Sequence, residues 1–323
     1  MQDWNLKNKF LTAVNTNGGF VNCHGHFDKA FFISPEKLDN SMLDMQAKWQ
    51  LSDDTKRNSS IDEIADRIRC ALDIMIDQGV KTTLSFIDAY SAVGQKAVIA
   101  ANQVKQEYKY KINFLIAPQP IGGLLDPEER KIFELAASKS DIVGGLPSRD
   151  RPYIQKSFDI LFSIAKKLDK PIHVHIDQEN NPDERDTETL IYYTKKYGYE
   201  GRVVAIHAVS TTTQPKKYRK HLYKKMAELK ISVVVCPSAA LSMKPTNNKL
   251  SPIRNSIAPI SEMIEAGITV GLGVDNIYDF YQPFVDGDLW FETRMLMEAT
   301  RFYDFEKVLK IVTENGKKIL NIK

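Results

Sequence analysis

Cysteine and long apolar runs are both scarce in this sequence. Among its 323 residues are three cysteines, Cys23, Cys70 and Cys236, which are too few and too scattered for a disulfide framework or an all-cysteine zinc site. The opening residues, MQDWNLKNKF, lack the apolar core of a signal peptide, and no apolar run approaches the length of a membrane span. These absences predict a cytoplasmic protein with no membrane partner.

An excess of one charge is also absent. The chain has 44 basic and 41 acidic residues, a formal charge of +3, so its overall charge predicts no nucleic-acid partner. Its basic cluster, KKYRKHLYKK at residues 216–225, is typical of the solvated face of a helix. With 43% hydrophobic residues, the chain has enough apolar material for a large core.

Eight short apolar runs alternate with segments of helical periodicity. Near-continuous runs of Val, Ile, Ala and Leu are typical of parallel strands that are buried on both faces. The predicted strands are residues 19–26, 82–88, 112–120, 142–148, 171–177, 203–210, 232–238 and 269–275.

The intervening segments predict helices. Ser60 is a predicted N-cap for a helix over 61–78, and residues 153–168 and 211–229 have the same periodicity. Eight repeats of strand and helix favour an α/β fold, a single-domain (β/α)8 TIM barrel over residues 1–323, because right-handed crossovers close such a sheet. An open doubly wound sheet is the alternative, but no glycine-rich phosphate-binding motif follows the first strand.

Only six histidines are present, and five of them fall near the ends of predicted strands. TIM barrels carry their chemistry at the C-terminal strand ends, and side chains two apart on a strand point to the same face. The sixth, His221, lies in the basic segment and is expected on the surface. The strand-end residues are His24 and His26 on strand one, His173 and His175 on strand five, His207 on strand six and, with them, Asp275 on strand eight.

These strand-end side chains predict a metal centre. Three neutral imidazoles and one carboxylate form a good ligand set for zinc or ferrous iron, with a position left for water. By geometry alone His173 and His175 are rival ligands, since they point to the same face of strand five.

Several ordered motifs resemble those of one family. The segment FVNCHGHFDKAF is similar to the HxHxDK signature on the first strand of the amidohydrolase superfamily, in its cytosine-deaminase-like branch. The resemblance implies a metal-dependent hydrolase of carbon–nitrogen bonds other than peptide bonds, acting on a small, cyclic, nitrogen-containing molecule. It continues over nearly all of the chain, through LIAPQPIGGLL, DIVGGLPSRDR, IHVHIDQENNPDE, VVAIHAVS and ITVGLGVDNIYDFYQP.

The resemblance also implies roles for single residues. His207 would be catalytic, beside the attacking water, and Gln119 would present its amide to a polar edge of the substrate. His173 would lie in the layer below the metal, and Cys236 would be a packing residue. No lysine closes strand four, where related binuclear enzymes carry a carbamylated lysine, so one divalent metal is expected, zinc rather than iron. The implied metal ligands are His24, His26, His175 and Asp275.

One departure from the family pattern concerns proton transfer. Related deaminases carry a glutamate three residues after the strand-five histidine, but Gln178 stands here, and a neutral amide is no general acid or base. Amide hydrolysis needs less, because Asp275 can take a proton from water and return it to the leaving nitrogen. The alternative is an aminohydrolase that releases ammonia from a pyrimidine, triazine or pterin, using Glu179, Glu184 or Glu188. An isomerase and a catalytically silent metal-binding relative are further alternatives.

The second departure concerns the termini and the pocket walls. Only 23 residues precede His24, whereas relatives usually carry a small β-sandwich built from both termini, so we expect a bare barrel. A homo-oligomer is one way to cover the surface left open.

Residues 31–59 are predicted to form a lid-like loop, and residues 276–288 add aromatic and acidic side chains. For the expected small-molecule substrate, the predicted contacts are Trp49, Gln119, Gln178 and Asn276.

Overall fold

Eight parallel strands form the centre of the molecule. A computed structural model describes residues 4–43, 45–243 and 257–322. Strand β2 is buried at every position, as expected for a strand covered by helices on one side and by barrel interior on the other. The strands are β1 (Val21–Asn22), β2 (Thr82–Asp88), β3 (Asn113–Gln119), β4 (Val143–Gly145), β5 (Ile172–Ile176), β6 (Val203–His207), β7 (Ser232–Val235) and β8 (Val270–Leu272).

Backbone hydrogen bonds close these strands into a ring. The ladders run β1-β2-β3 and β4-β5-β6-β7-β8, all parallel. Cys23 N–H donates to Leu272 O at 2.9 Å and so joins β1 to β8, while Ile142 N–H donates to Ile116 O at 3.2 Å between β3 and β4. The predicted TIM barrel is therefore confirmed.

Helices surround the ring and cover its ends. Ser60 is the N-cap of α3, as predicted, and it forms a capping box, accepting from Glu63 N–H while Glu63 accepts from Ser60 N–H. The helices are α1 (Leu6–Thr16), α2 (Met45–Asn58), α3 (Ile61–Asp77), α4 (Lys96–Tyr108), α5 (Pro127–Ser138), α6 (Ile154–Leu168), α7 (Asp186–Tyr197), α8 (Lys216–Glu228), α9 (Pro237–Ser242), α10 (Ile260–Glu265), α11 (Leu289–Thr300), α12 (Phe305–Val312) and α13 (Glu314–Ile319).

Two apolar layers hold the barrel together. The larger lies between strands and helices, where Leu72 and Met75 of α3 and Phe158 of α6 are fully buried. The smaller fills the barrel interior with inward side chains such as Leu84 and Phe86 of β2. Because the interior is packed, any chemistry is confined to the strand ends. Among the described residues, none of the helices is long and apolar enough to cross a membrane.

Several predicted boundaries were wrong, and the errors cluster at the strand ends. The first strand was predicted over 19–26 but ends at Asn22, and the eighth was predicted to residue 275 but ends at Leu272. There the chain leaves the ladder to turn side chains into the barrel mouth. The predicted helix over 211–229 begins only at Lys216, after a 3-10 turn over Val209–Thr213.

The segment predicted as a lid-like loop is mostly helical. Residues 31–59 contain a 3-10 helix over Pro35–Met42 and the helix α2. Lys96 of α4 donates to the carbonyl oxygens of Arg57 at 3.0 Å and Ser59 at 2.7 Å, so its ammonium satisfies carbonyls at and just beyond the C-terminal end of α2. The periodic pattern of α2 is weak because this helix covers a pocket and lacks a continuous apolar stripe.

Candidate metal centre and active site

Side chains from four strand ends converge at the C-terminal mouth of the barrel. The ring centroid of His24 lies 4.8 Å from those of both His26 and His175, and the rings of His175 and His207 are 5.4 Å apart. Each member of the cluster is at most 7% exposed. The structure thus brings together the residues His24, His26, His175, His207 and Asp275.

Asp275 is at the centre of this cluster. Its Oδ1 lies 3.2 Å from His24 Nε2 and 3.1 Å from His26 Nε2, and its Oδ2 lies 4.0 Å from His207 Nε2. Ligand atoms bound at about 2.1 Å to one tetrahedral ion are about 3.4 Å apart. The two distances from Asp275 Oδ1 therefore fit donors of a shared divalent cation. Among the described residues, the donor atoms that all lie within 4.8 Å of one another form two groups, His24 with His175 and His207, and His24 with Cys236 and Asp275.

The orientation of His175 supports the same interpretation. Its Nδ1 lies 3.2 Å from the carbonyl oxygen of Gly145, which can only accept, so Nδ1 carries the proton. The other nitrogen, Nε2, is buried and has no hydrogen-bond partner among the described residues. A buried, unprotonated nitrogen whose opposite N–H is fixed by a carbonyl is the arrangement of a metal-binding histidine.

Burial sets the charge state of the cluster. It lowers the pKa of His207 to about 4, and burial, reinforced by the Lys29 ammonium, lowers the pKa of His26 to about 3. Burial alone would raise the pKa of Asp275, but hydrogen bonds from His24 and His26 hold it well below its usual value. Near neutral pH His26 and His207 are therefore neutral imidazoles beside the ionised carboxylate of Asp275, which suits a cation.

Backbone strain accompanies two of these residues. His207 has a φ of 73° and Asp275 a φ of 65°, in the left-handed region that non-glycine residues rarely adopt. Such a conformation costs on the order of 1–3 kcal/mol and is typical of functional sites. Here the left-handed conformation occurs where the chain turns at the end of β6, at His207, and just after β8, at Asp275.

Three other candidate residues fall in different places. His173 is buried but belongs to neither of the two described groups of potential ligand atoms, one of which contains His175. Cys236 has its sulfur within 4.8 Å of donor atoms of His24 and Asp275, so it borders the centre more closely than the sequence indicated. His221 is exposed on α8, as expected.

A cavity of about 670 Å³ opens above the cluster. All four predicted substrate contacts line it. Trp49 of α2 has its ring 4.0 Å from the Arg149 guanidinium, a contact that connects the covering helix to the end of β4. The predicted contacts that line this cavity are Trp49, Gln119, Gln178 and Asn276.

Sequence reasoning missed a buried charge cluster beside this cavity. Lys29, on the 3-10 turn after β1, donates to Gln119 Oε1 at 3.3 Å and lies 3.7 Å from Asp88 Oδ1. Lys56 of α2 lies 2.6 Å from Asp88 Oδ2. Burial alone would raise the pKa of Asp88, but the two ammonium groups lower it. The lysine of the HxHxDK motif was the available signal for Lys29.

Two further missed residues adjoin Asp275. Gln282 Nε2 donates to Asp275 Oδ2 at 3.1 Å, and Asp279 accepts from the side-chain amide of Asn276. Both lie on the loop after β8 and are almost fully buried. No periodic pattern marks them, because an irregular loop positions them.

The glutamates considered as substitutes for a proton-shuttling residue occupy different environments. Glu179 lines the cavity. Glu184 accepts from Ser210 and from Glu179 N–H and pairs with Arg151 at 3.1 Å, so it anchors the loop after β5. Glu188 lies on α7, where it accepts from a tyrosine hydroxyl.

Comparisons with known proteins agree with this fold. The model of the amidohydrolase family matches residues 18–323. An uncharacterized protein of Haemophilus influenzae is 39% identical over 265 residues, which cover 80% of this chain and 95% of that protein. The N-isopropylammelide isopropyl amidohydrolase of Pseudomonas sp. strain ADP is 27% identical over 314 residues, covering 94% of this chain and 74% of that one.

A solved structure gives the same result for the fold. The 5-methylcytosine deaminase of Klebsiella pneumoniae with bound 5-fluorocytosine superimposes with a TM-score of 0.86 at 22% identity, covering 94% of this chain and 74% of that chain. The barrel, with histidines clustered at the C-terminal ends of its strands, is that of a metal-dependent hydrolase that acts on carbon–nitrogen bonds. The chain belongs to the amidohydrolase family.

Proposed function

We propose that this protein hydrolyses a carbon–nitrogen bond, other than a peptide bond, in a small, cyclic, nitrogen-containing molecule. His24, His26, His175 and Asp275 would hold one divalent metal ion, zinc rather than iron. The observation that carries the proposal is the convergence of these donors beneath a cavity lined by side-chain amides. Imidazole and carboxylate donors suit zinc, and a catalytic zinc site leaves one position for water.

A single bound metal is favoured by the composition of strand four. Strand β4, Val143–Gly145, and the 3-10 turn after it, Pro147–Asp150, contain no lysine that could bridge two ions. The nearby Lys29 is held by Asp88 and Gln119, outside the histidine cluster. We therefore place one ion per chain.

The bound ion would act as a Lewis acid that makes water nucleophilic near neutral pH. Asp275 Oδ2 would accept the proton of the attacking water, because this oxygen has only the amide of Gln282 as a close hydrogen-bond donor among the described residues. His207, neutral and 4.0 Å from Asp275 Oδ2, would stabilise the negative charge that develops on the substrate oxygen. Asp275 would then return the proton to the leaving nitrogen.

Hydrolytic opening of a ring amide fits this machinery better than displacement of an amino group from an aromatic ring. Protonating an aromatic ring nitrogen needs a separate acid, and Gln178 lines the cavity where related deaminases have glutamate. Deamination stays a second candidate because the Glu179 carboxylate also lines the cavity. The similarity to a 5-methylcytosine deaminase supports including pyrimidines among the compounds to test.

The test is a product analysis with the zinc-loaded protein. We would incubate it with N-isopropylammelide, 5-methylcytosine and panels of lactams, triazines and pterins, and quantify substrate loss, free amine and ammonia. Opening of a ring amide supports amide hydrolysis, whereas release of ammonia, or of isopropylamine from N-isopropylammelide, supports the second candidate, displacement of an amino group from the ring. Asp275→Asn should lower turnover about a thousandfold or more, since a proton-transfer group typically contributes about 10²–10⁴-fold.

His221→Ala is the matched control, because it removes an exposed histidine far from the strand ends along the chain. It should leave turnover unchanged. Full turnover by Asp275→Asn, or by a folded His24→Ala protein, would overturn the residue assignment. A folded protein that binds no transition metal would overturn the function itself.

A further inference from the structure

Gln119 has its side-chain amide fixed in one orientation. Its Oε1 accepts a hydrogen bond from Lys29 Nζ at 3.3 Å. An ammonium group donates only, so the atom facing Lys29 must be the amide oxygen. The amide nitrogen of Gln119 has no hydrogen-bond partner among the described residues, and the residue lines the cavity. Gln119 therefore presents N–H donors to whatever the cavity holds.

Asn276 is fixed in the opposite sense. Its Nδ2 donates to Asp279 Oδ2, and Asp279 Oδ1 accepts from the backbone N–H groups of Tyr281 at 2.8 Å and Gln282 at 3.0 Å. A carboxylate that receives several N–H donors is stabilised as an acceptor. Asn276 therefore keeps its carbonyl oxygen, whose closest described donor is Gln282 Nε2 at 3.5 Å, available as an acceptor.

The two anchors, Lys29 and Asp279, are themselves buried. Lys29 is 5% exposed and has Asp88 Oδ1 at 3.7 Å, while Asp279 is 1% exposed. If the Gln119 amide were rotated, its NH₂ group would face the Lys29 ammonium, donor against donor. If the Asn276 amide were rotated, its oxygen would face the Asp279 carboxylate, acceptor against acceptor. Such contacts are costly in a buried site, because each leaves polar groups without partners.

We propose that Lys29 and Asp279 are positioning residues, which fix hydrogen-bond donors on one side of the cavity and an acceptor on the other. The wall at the end of β3 offers hydrogen-bond donors, and the wall after β8 offers an acceptor. This rests on the proposed function and narrows its substrate class. The substrate ring would carry a carbonyl oxygen or an unprotonated ring nitrogen towards Gln119 and an N–H group towards Asn276, as cyclic amides and ureides do.

The test measures equilibrium binding, so it does not depend on turnover. Calorimetry with the metal-loaded protein would compare 2-pyridone and 4-pyridone, which carry both groups at two spacings, with their N-methyl forms and with aniline. N-methylation removes the donor, and aniline lacks the carbonyl acceptor. At least one pyridone should bind about tenfold more tightly than its N-methyl form and than aniline, since one buried hydrogen bond has about that effect.

Substitutions of the anchors separate positioning from general structure. In Asp279→Asn, the new side-chain oxygen can keep the two backbone bonds while its NH₂ faces Asn276, which turns the Asn276 amide around. The preference over the N-methyl form should then fall to within about twofold. Lys29→Met should remove the preference over aniline, and Lys29→Arg should restore it.

The proposal can still be tested when one of these variants fails to fold. Where Lys29→Met does not fold, Gln119→Glu takes its place, since a carboxylate beside Lys29 offers only acceptors and should favour aniline over the N-methyl pyridones. Equal binding of the pyridones and their N-methyl forms would overturn the inference, as would no binding of either pyridone. Unchanged preferences in Asp279→Asn would also overturn it. None of these results would affect metal content, which tests the proposed function separately.

Discussion

Lys56 Nζ of the covering helix α2 lies 2.6 Å from Asp88 Oδ2 at the end of strand β2. Both side chains are almost completely buried, Lys56 at 3% and Asp88 at 0% exposure. This ion pair fastens the segment that carries Trp49 to the barrel. Buried pairs of this kind are costly to break, because the remaining charge loses a close partner and cannot regain water. Without Lys56, Asp88 would keep only Lys29 among the described residues, at the longer distance of 3.7 Å.

We therefore predict that Lys56→Met destabilises the protein and loosens α2. The free energy of unfolding should fall by about 3 kcal/mol, the usual range for breaking a buried pair. Urea unfolding measures this loss, and limited proteolysis should cut first near α2. Arg57→Met removes an exposed charge from the same helix and should change stability by less than about 0.5 kcal/mol. Equal stabilities of the two variants would contradict the role of the pair.

The metal centre predicts a stoichiometry and a stabilisation. Elemental analysis after reconstitution should give one zinc per chain, and His24→Ala or His175→Ala should lose it, while His221→Ala keeps it. Zinc at a free concentration of 100 times its Kd should stabilise the fold by about 2.7 kcal/mol, measured as a rise in Tm. Two tightly bound ions per chain would disprove the single-metal prediction.

Glu184 predicts a pH dependence of stability. Burial, followed by repulsion from Asp177, raises the pKa of Glu184 to about 8, above the usual value of 4.5. Between these values the folded chain binds more protons than the unfolded chain, so this group lowers stability as pH rises from about 5 to 8. Glu184→Gln should match the unchanged protein near pH 5 and exceed its stability at pH 9.

The expected advantage of Glu184→Gln at pH 9 is roughly 1–3 kcal/mol, measured by urea unfolding across the pH range. Arg151, which pairs with Glu184, offsets part of the effect. Glu188→Gln, at an exposed position of α7, is the matched control and should show no such crossover. A constant difference between Glu184→Gln and the unchanged protein at every pH would refute the explanation.

Gln178 leads to a prediction about how readily the protein releases ammonia from an aminopyrimidine. Gln178→Glu restores the carboxylate that related deaminases carry after the strand-five histidine, so ammonia release from an aminopyrimidine should rise by at least about tenfold. Gln178→Ala controls for loss of the amide and should not show the gain. If ammonia release stays constant in Gln178→Glu, the missing carboxylate is not what limits deamination.

The convergence of the proposed metal ligands was predictable because these residues follow the periodicity of the barrel. His24 and Asp275 are 251 residues apart, yet both stand where a parallel strand ends, and a closed barrel brings such ends together. The helices α3 and α6 were predictable for a similar reason, since capping residues and apolar periodicity are local signals.

The strand lengths and the covering helix were not predictable in this way. Strands β1 and β8 stop early because His24 and Asp275 turn into the barrel mouth, a requirement of the site and not of the local sequence. Helix α2 is held by contacts with other elements, its Lys56 with Asp88 of β2 and the carbonyl oxygen of Ser59, just beyond its end, with Lys96 of α4. Its own residues therefore give only a weak helical signal.

By itself, the sequence determined the barrel, the order of its strands and the kinds of side chain that meet at its C-terminal mouth, because these follow from spacing along the chain. Only the tertiary structure decided which way Gln119 and Asn276 point. Lys29 and Gln119 are 90 residues apart in the chain, and no periodic pattern relates them. Their contact arises from how a turn after β1 packs against the end of β3, and that packing fixes the direction of the hydrogen bonds in the cavity.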